Sequence, residues 1–269
     1  GRDQYGDLEW QRLRLFGATL ADEDYLILDH AWRSLALPLA FCVADFKSWL
    51  LKNDGKEMKA AYALHRRFLQ HLQWQRERKI AAAGASAAKA PARWVLKTPY
   101  HAACLDEIFS LYPDAHVICV NGEPKREAGQ WAAVAADIRK TLVDGAGASP
   151  TVAGPEELQT LQLLTEKLEA FRQANPKLSS KFVDVHYDDL MNNPVAVAER
   201  VYKATGMSVS REAKDRMWEY VSDVREHKEE LVNRPGSDPA SLPEYGLSEE
   251  MVAKATEAYS KSGRGEVKR

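Results

Sequence analysis

Residues 94–131 read WVLKTPYHAACLDEIFSLYPDAHVICVNGEPKREAGQW, and the alternation of apolar runs with breaking residues in them decides the fold class. Trp94-Val-Leu is a short apolar run with a β-branched residue, which reads as a strand. Ala102, Leu105, Ile108, Phe109 and Tyr112 then recur at helical spacing, with Thr98 as N-cap and Pro99 in the first turn, where a missing N–H costs nothing. Pro113-Asp114 forces a turn. Val117-Ile-Cys-Val is a continuous apolar run of the kind that a parallel strand covered on both faces needs. Strand, helix and strand in this order form a βαβ crossover with buried parallel strands. Ligands of such open sheets collect outside the carboxyl ends of the strands, which puts Lys97-Thr98 and Asn121-Gly122 on the binding edge.

The flanks extend this unit. On the N-terminal side the pattern is helical from Leu8 to about Ile80: Asp22-Glu23-Asp24 reads as an acidic helix start, the apolar stretch from Tyr25 to Leu51 must end or kink at Pro38, and Asn53-Asp54-Gly55 is a break. Glu57 to Ile80 carries Ala61, Leu64, Phe68, Leu72 and Ile80 on one face and predicts a long amphipathic helix. Ala81 to Ala92 is a small-residue connection into Trp94. On the C-terminal side a helix spans Pro124 to Leu142, and Asp144 to Pro155 is a Gly/Ala/Ser loop of the composition a lid needs. Pro155 opens a helix with a Leu158, Leu161, Leu164, Leu168 and Phe171 stripe that stops before Asn175-Pro176. Lys181 to Tyr187 alternates apolar and polar residues as a third strand. Asn193-Pro194 starts a helix closed by Gly206, and two more helices, Arg211 to Glu230 and Ser248 to Ser262, flank the Pro- and Gly-rich stretch Asn233 to Leu247. The expected class is α/β, a short parallel sheet flanked by helices, with no internal repeat.

Composition excludes several classes. The 269 residues carry 37 Lys and Arg against 39 Asp and Glu, and a net charge of −2 offers no field for nucleic acid or an anionic membrane. Any anion site must be local. Cys42, Cys104 and Cys119 lack metal-ligand spacing and read as small buried thiols in a reducing compartment, which favours the cytoplasm. No apolar run reaches the roughly 18 residues of a membrane span. The chain starts at Gly1 in a polar stretch with no signal peptide, as expected if an N-terminal piece has been removed. An anchor in the removed piece would change that compartment.

Four fragments in order now carry a resemblance: Trp94-Val-Leu-Lys-Thr-Pro-Tyr-His, Tyr112-Pro-Asp-Ala, Asn121-Gly-Glu-Pro, and Val185-His-Tyr-Asp-Asp-Leu followed by Asn193-Pro194. They are similar to the WxLKSPxH, FPDA, HRDP and YEDL segments of sulfotransferases that use 3′-phosphoadenosine 5′-phosphosulfate (PAPS). Leu242-Pro-Glu-Tyr-Gly-Leu resembles that family's LEDFGL, and the acidic cluster at Asp22 resembles the PxED segment of bacterial and protist members. The resemblance implies a P-loop NTPase-like sulfotransferase architecture over most of the chain, arranged as one domain, with a helical acceptor side at 8–80 and a nucleotide side at 94–269. PAPS would be the co-substrate, no metal would be required, and a hydroxyl or amine of a carbohydrate, protein or small molecule would be the acceptor.

Residue by residue, Lys97 matches the lysine that touches the sulfuryl group and offsets charge on the leaving phosphate. Thr98 follows it on the same edge. His101 resembles the histidine base of cytosolic members, but stands four residues after the lysine rather than two, so a helix-surface or partly buried structural histidine suits the position better. Tyr187 matches the tyrosine packed on adenine. Arg234, Gly236 and Ser241 fall where the family folds a C-terminal segment over the nucleotide. The resemblance fails at two places. The family's arginine and serine that hold the 3′-phosphate are Gly122 and Gln130 here, with Lys125 and Arg126 as nearby cations. Nothing before Trp10 resembles the family's first strand and Gly-rich phosphate loop, the main anion site of such folds. A catalytically impaired binding or structural module is therefore the competing expectation. A P-loop kinase would need GxxxxGK[ST], which is absent.

Overall fold

The computed structural model describes residues 22–52, 56–84, 93–232 and 241–264, with main chain only for 56, 57 and 224–232. These residues form two compact units, one helical over 22–114 and one α/β over 115–264.

The helical unit contains α1 (Tyr25–Asp29), α2 (Ala36–Ala40), α3 (Ala44–Lys52), α4 (Lys56–Ala82), a 3-10 turn (Pro99–Ala103) and α5 (Leu105–Leu111). The apolar stretch expected as one helix kinked at Pro38 is thus three short helices. α1 stops at a left-handed residue, Trp32 (φ 54°), and Arg33 N–H closes the end onto Leu28 C=O at 3.1 Å. Pro38 does not break α2, because it sits in the first turn, where its amide would lack a partner anyway. Leu28, Leu50, Leu51, Met58, Tyr62, Leu69, Tyr100 and Leu105 form the buried core of this unit.

Trp94-Val-Leu is not a strand, which corrects the expected βαβ crossover. Residues 93–98 have no regular structure, and Trp94 and Val95 are 44% and 93% exposed. A strand exists only through its ladder, and among the described residues of this unit no other strand offers one. Beyond Thr98 the expected helix is divided into the 3-10 turn and α5.

In the α/β unit, β1 (Val117–Asn121) pairs in parallel with β2 (Phe182–His186), in register from Val117↔Phe182 to Asn121↔His186. Between them lie α6 (Pro124–Leu142), a 3-10 turn (Gly145–Ala148), α7 (Pro150–Ala174) and a second 3-10 turn (Pro176–Lys181); after them come α8 (Tyr187–Asn192), α9 (Pro194–Ala204), α10 (Arg211–Val232), a 3-10 turn (Leu242–Tyr245), α11 (Glu249–Ala255) and α12 (Glu257–Lys261). Ala132, Ala135 and Ala136 of α6 and Ala153, Leu158 and Leu164 of α7 are buried. Arg139 is fully buried among them and bonds Glu156 (2.8 Å) and Glu157 (3.3 Å), as a charge removed from water requires.

Three further expectations change here. The lid-like loop is shorter than its composition implied, because α7 begins at Pro150 and carries Pro155 inside it. The 3-10 turn at Leu242 docks on that helix so closely that a Cβ at Gly154 would lie 2.0 Å from the Tyr245 carbonyl oxygen. β1 is not covered on both faces. Val183 and Val185 of β2 pack on Val197, Leu190 and Val201, but Ile118 and Val120 on the same face of β1 are 43% and 49% exposed. Of the cysteines, Cys104 and Cys119 are buried as expected and Cys42 is exposed.

Candidate functional site

The helical unit places Lys97 at the end of an irregular segment and fixes its main chain through Asp24. Asp24 N–H donates to Lys97 C=O (3.1 Å), and Lys97 N–H donates to Asp24 Oδ1 (2.8 Å), so the two residues close a clamp. The Lys97 side chain is 66% exposed and pairs at its tip with Glu23. Thr98 caps the 3-10 turn, its carbonyl accepting from His101 N–H at 3.2 Å.

Asp24 Oδ2 faces two imidazoles. His65 Nε2 is 2.8 Å away and His101 Nε2 3.1 Å away, the latter at ion-pair distance but off the hydrogen-bond line. A carboxylate only accepts, so both rings present N–H at Nε2. Their Nδ1 atoms then accept: His101 from Tyr62 O–H at 2.7 Å, and His65 from Tyr112 O–H at a long 3.4 Å. This assignment gives two tyrosine–histidine arms converging on one carboxylate. Burial pushes the phenols of Tyr62 and Tyr112 upward, which keeps them donors. Burial would also raise Asp24, but the favourable interactions of the carboxylate with His101 and His65 outweigh it and hold the carboxyl well below the usual range. His101 Nδ1 is bonded inside the unit, and its Nε2 stands beside the Asp24 carboxylate.

The α/β unit assembles the other expected residues at the carboxyl edge of its sheet. The register sets Asn121 beside His186, so Gly122 and Tyr187, the next residues of each strand, leave the sheet side by side. Gly122 N–H donates to Glu127 Oε1 (2.9 Å), and Tyr259 O–H donates to Gly122 C=O (3.2 Å). A Cβ at Gly122 would lie 2.6 Å from that Glu127 oxygen. Burial raises the Glu127 carboxyl above its ordinary value, and the Gly122 amide only partly offsets this. The group standing where a side chain at position 122 would emerge is therefore an acid. Arg126 lies over the Tyr187 ring at 4.8 Å, while Lys125 pairs with Glu249 at 2.8 Å. Gln130 is half-buried further along α6, and Ser241 starts the 3-10 turn that docks at Gly154. Arg234 and Gly236 lie outside the described residues. Behind the edge, Arg172 holds Asp184 through two bonds (2.9 and 2.8 Å), and Asp184 also accepts from Asn121 at 3.2 Å.

Asp24, Tyr62, His65 and Glu127 are the residues that sequence reasoning missed. His65 lies four residues before a buried Leu69 and seven after a buried Met58, so the stripe on α4 is Met58, Ala61-Tyr62, His65 and Leu69, not the Leu64–Phe68 face. The usable signal was a histidine and a tyrosine at core spacing. Among the described residues no cluster of His, Cys, Asp and Glu suits a metal ion, and no helix is long and apolar enough to cross a membrane.

Known proteins share both the sequence pattern and the fold. The family model described as the sulfotransferase family matches residues 2–211. The sulfotransferase STF9 of Mycobacterium avium superposes with a TM-score of 0.69 at 21% identity, over 95% of this chain and 62% of that one. The sulfotransferase STF1 of Mycobacterium tuberculosis H37Rv gives 0.64 at 24% identity, over 89% of this chain and 55% of that one. The chain thus spans 62% and 55% of the lengths of these relatives. No curated protein sequence matches it. The structural likeness shows the P-loop-like α/β fold, and the match along most of the sequence shows the lineage: this chain belongs to the sulfotransferase family.

Proposed function

We propose that the protein moves a sulfuryl group from PAPS to a hydroxyl or amine acceptor, with Lys97 as the group acting on the transferring sulfuryl. The observation that carries this reading is Lys97 itself: its position in the family string, its exposed ammonium, and a main chain clamped by Asp24. PAPS supplies the sulfuryl group on a phosphate leaving group. Lys97 offsets the charge that builds on the oxygen between sulfur and phosphorus, a role that a compact cation on a fixed backbone suits. Glu23, whose carboxylate pairs with the Lys97 ammonium, is in this reading the base that receives the acceptor's proton. His101, with Nδ1 bonded to Tyr62 and Nε2 beside the Asp24 carboxylate, acts in this reading through Asp24 and not on the acceptor.

The fit to the donor is uneven. By the resemblance, Lys97 and Thr98 answer to the sulfuryl end and Tyr187 to the adenine, with Ser241 as a further candidate contact. At the 3′-phosphate end, Gly122 and Gln130 supply no cation, and Glu127 places there a carboxyl that, when ionised, repels a phosphate. That acid supports the second reading, a family member that binds without transferring. The two readings separate in one assay: incubation with PAPS and either 4-nitrophenol or 2-naphthylamine, following adenosine 3′,5′-bisphosphate release, beside a calorimetric titration with the same bisphosphate. Transfer that disappears in Lys97→Ala supports the enzyme; binding without transfer to either probe supports the module.

A further inference from the structure

We propose that Asp24 is a positioning residue that sets where Lys97 stands, with His65 and His101 as the groups that fix Asp24; this rests on the reading of Lys97 given above. Among the described residues, 93–98 have no ladder and little packing, with Val95 93% exposed, so their own conformation does not hold Lys97. The two bonds to Asp24 do, one of them to a carboxylate, which is the stronger kind.

The carboxylate has abandoned its local use. Asp24 is the N-cap of α1, where an aspartate ordinarily accepts from the amides of its own first turn, and here it makes no such bond. Its Oδ1 is turned to Lys97 and its Oδ2 to His65 and His101. Both oxygens are therefore occupied and the group cannot rotate away. His65 is fully buried on α4, the longest helix of the unit, and His101 is tied to Tyr62 of the same helix. Lys97 thus takes its place from α4 through a chain of side chains, in a segment that lacks regular structure of its own. A carboxylate serving only to start α1 would cap α1.

The test has two arms. In the first, hydrogen exchange of the Lys97 amide is followed in the parent chain, in Asp24→Asn, which keeps an oxygen but loses the charge, and in His65→Phe, which leaves the clamp atoms in place. The Lys97 amide is expected to exchange about ten-fold faster in Asp24→Asn, since a hydrogen bond to a charged group is lost, and faster to a smaller extent in His65→Phe. In the second, turnover of PAPS with 4-nitrophenol is compared among the parent, Asp24→Asn, Lys97→Ala and the double variant. The expected pattern is a fall in kcat with little change in KM for Asp24→Asn, and no further fall when Asp24→Asn is added to Lys97→Ala. Unchanged Lys97 exchange, or losses that multiply in the double variant, overturns the proposal. Should Asp24→Asn not fold, His65→Phe takes its place in both arms, with the same outcomes for and against. If Lys97→Ala keeps full turnover, the reading of Lys97 fails, and amide exchange still decides whether Asp24 holds it.

Discussion

The segment that ends at Lys97 and the strand that ends at Gly122 do comparable work by different means. Each delivers a residue to a surface, and each is preceded by apolar side chains. Before Gly122 the main chain is fixed by five residue pairs of a parallel ladder, from Val117↔Phe182 to Asn121↔His186. Before Lys97 there is no ladder, Val95 is 93% exposed, and the fixing comes from Asp24, whose carboxylate is itself held by two imidazoles. A ladder tolerates the loss of one side chain because its bonds are main chain to main chain. In the clamp one of the two bonds runs to the Asp24 side chain and is lost with it.

That contrast can be broken from either side, and the largest effect is expected in the α/β unit. Gly154→Ala puts a methyl 2.0 Å from the Tyr245 carbonyl oxygen, a backbone atom that cannot swing aside. Overpacking of this kind costs about 1–3 kcal/mol and sometimes more; with backbone as the obstacle, a loss of about 3 kcal/mol or more in urea unfolding is the expected outcome. A variant as stable as the parent would mean that the Leu242–Tyr245 turn is not seated on α7.

On the helical side, Asp24→Asn should cost about 1.5–3 kcal/mol at neutral pH, the worth of bonds to a charged group. The pH dependence follows from the sign of the shift. The folded-state pKa of Asp24 is depressed, so its contribution is fully present above the unfolded value, about 3.9, and is lost as pH falls towards the folded value. The stability gap between parent and Asp24→Asn should therefore hold steady from neutral pH to about pH 4 and close only below it. A gap that has already closed at about pH 5 would show that the carboxylate is not held by the histidines.

A smaller and more selective effect is expected at the sheet edge. Gly122→Arg must displace the Glu127 carboxylate, whose nearest oxygen would be 2.6 Å from the new Cβ; this costs little, because the obstacle is the end of a flexible side chain. The arginine should then strengthen binding of adenosine 3′,5′-bisphosphate by about ten-fold, the worth of one charge-assisted bond, and leave adenosine 5′-phosphate almost unchanged. Combining it with Gln130→Ser should add to the same ratio. An unchanged ratio of the two dissociation constants would place the 3′-phosphate away from residue 122.

What was legible in the chain divides along the same contrast. Periodicity located α6 and β2 to within a residue or two and most of α4, because apolar spacing and caps act locally; Asn193, expected to start α9, indeed accepts from Ala196 N–H at 3.1 Å. The state of Trp94-Val-Leu was not legible, because a strand depends on a partner that no local pattern names. Pro155 misled in the opposite sense, since packing at Gly154 and Gly246 sustains a helix through a residue that propensity would put at its start. At the site, Lys97, Gly122 and Tyr187 stood in quotable strings. Asp24 stood in one only as part of an acidic helix start, and His65 in none: forty-one residues separate them, and polar residues on an amphipathic helix are ordinarily counted to its wet face. Only their convergence in space shows that the histidine belongs to the core.

The most direct measurement is the turnover of Lys97→Ala beside the parent chain, with PAPS as donor and 4-nitrophenol or 2-naphthylamine as acceptor, each protein's melting temperature recorded in the same buffer. Because the Lys97 side chain is 66% exposed and packs little, the account predicts an unchanged melting temperature and a turnover lower by about 10²–10³, the usual loss for one group that stabilises transition-state charge. Parent-level turnover in Lys97→Ala would contradict it.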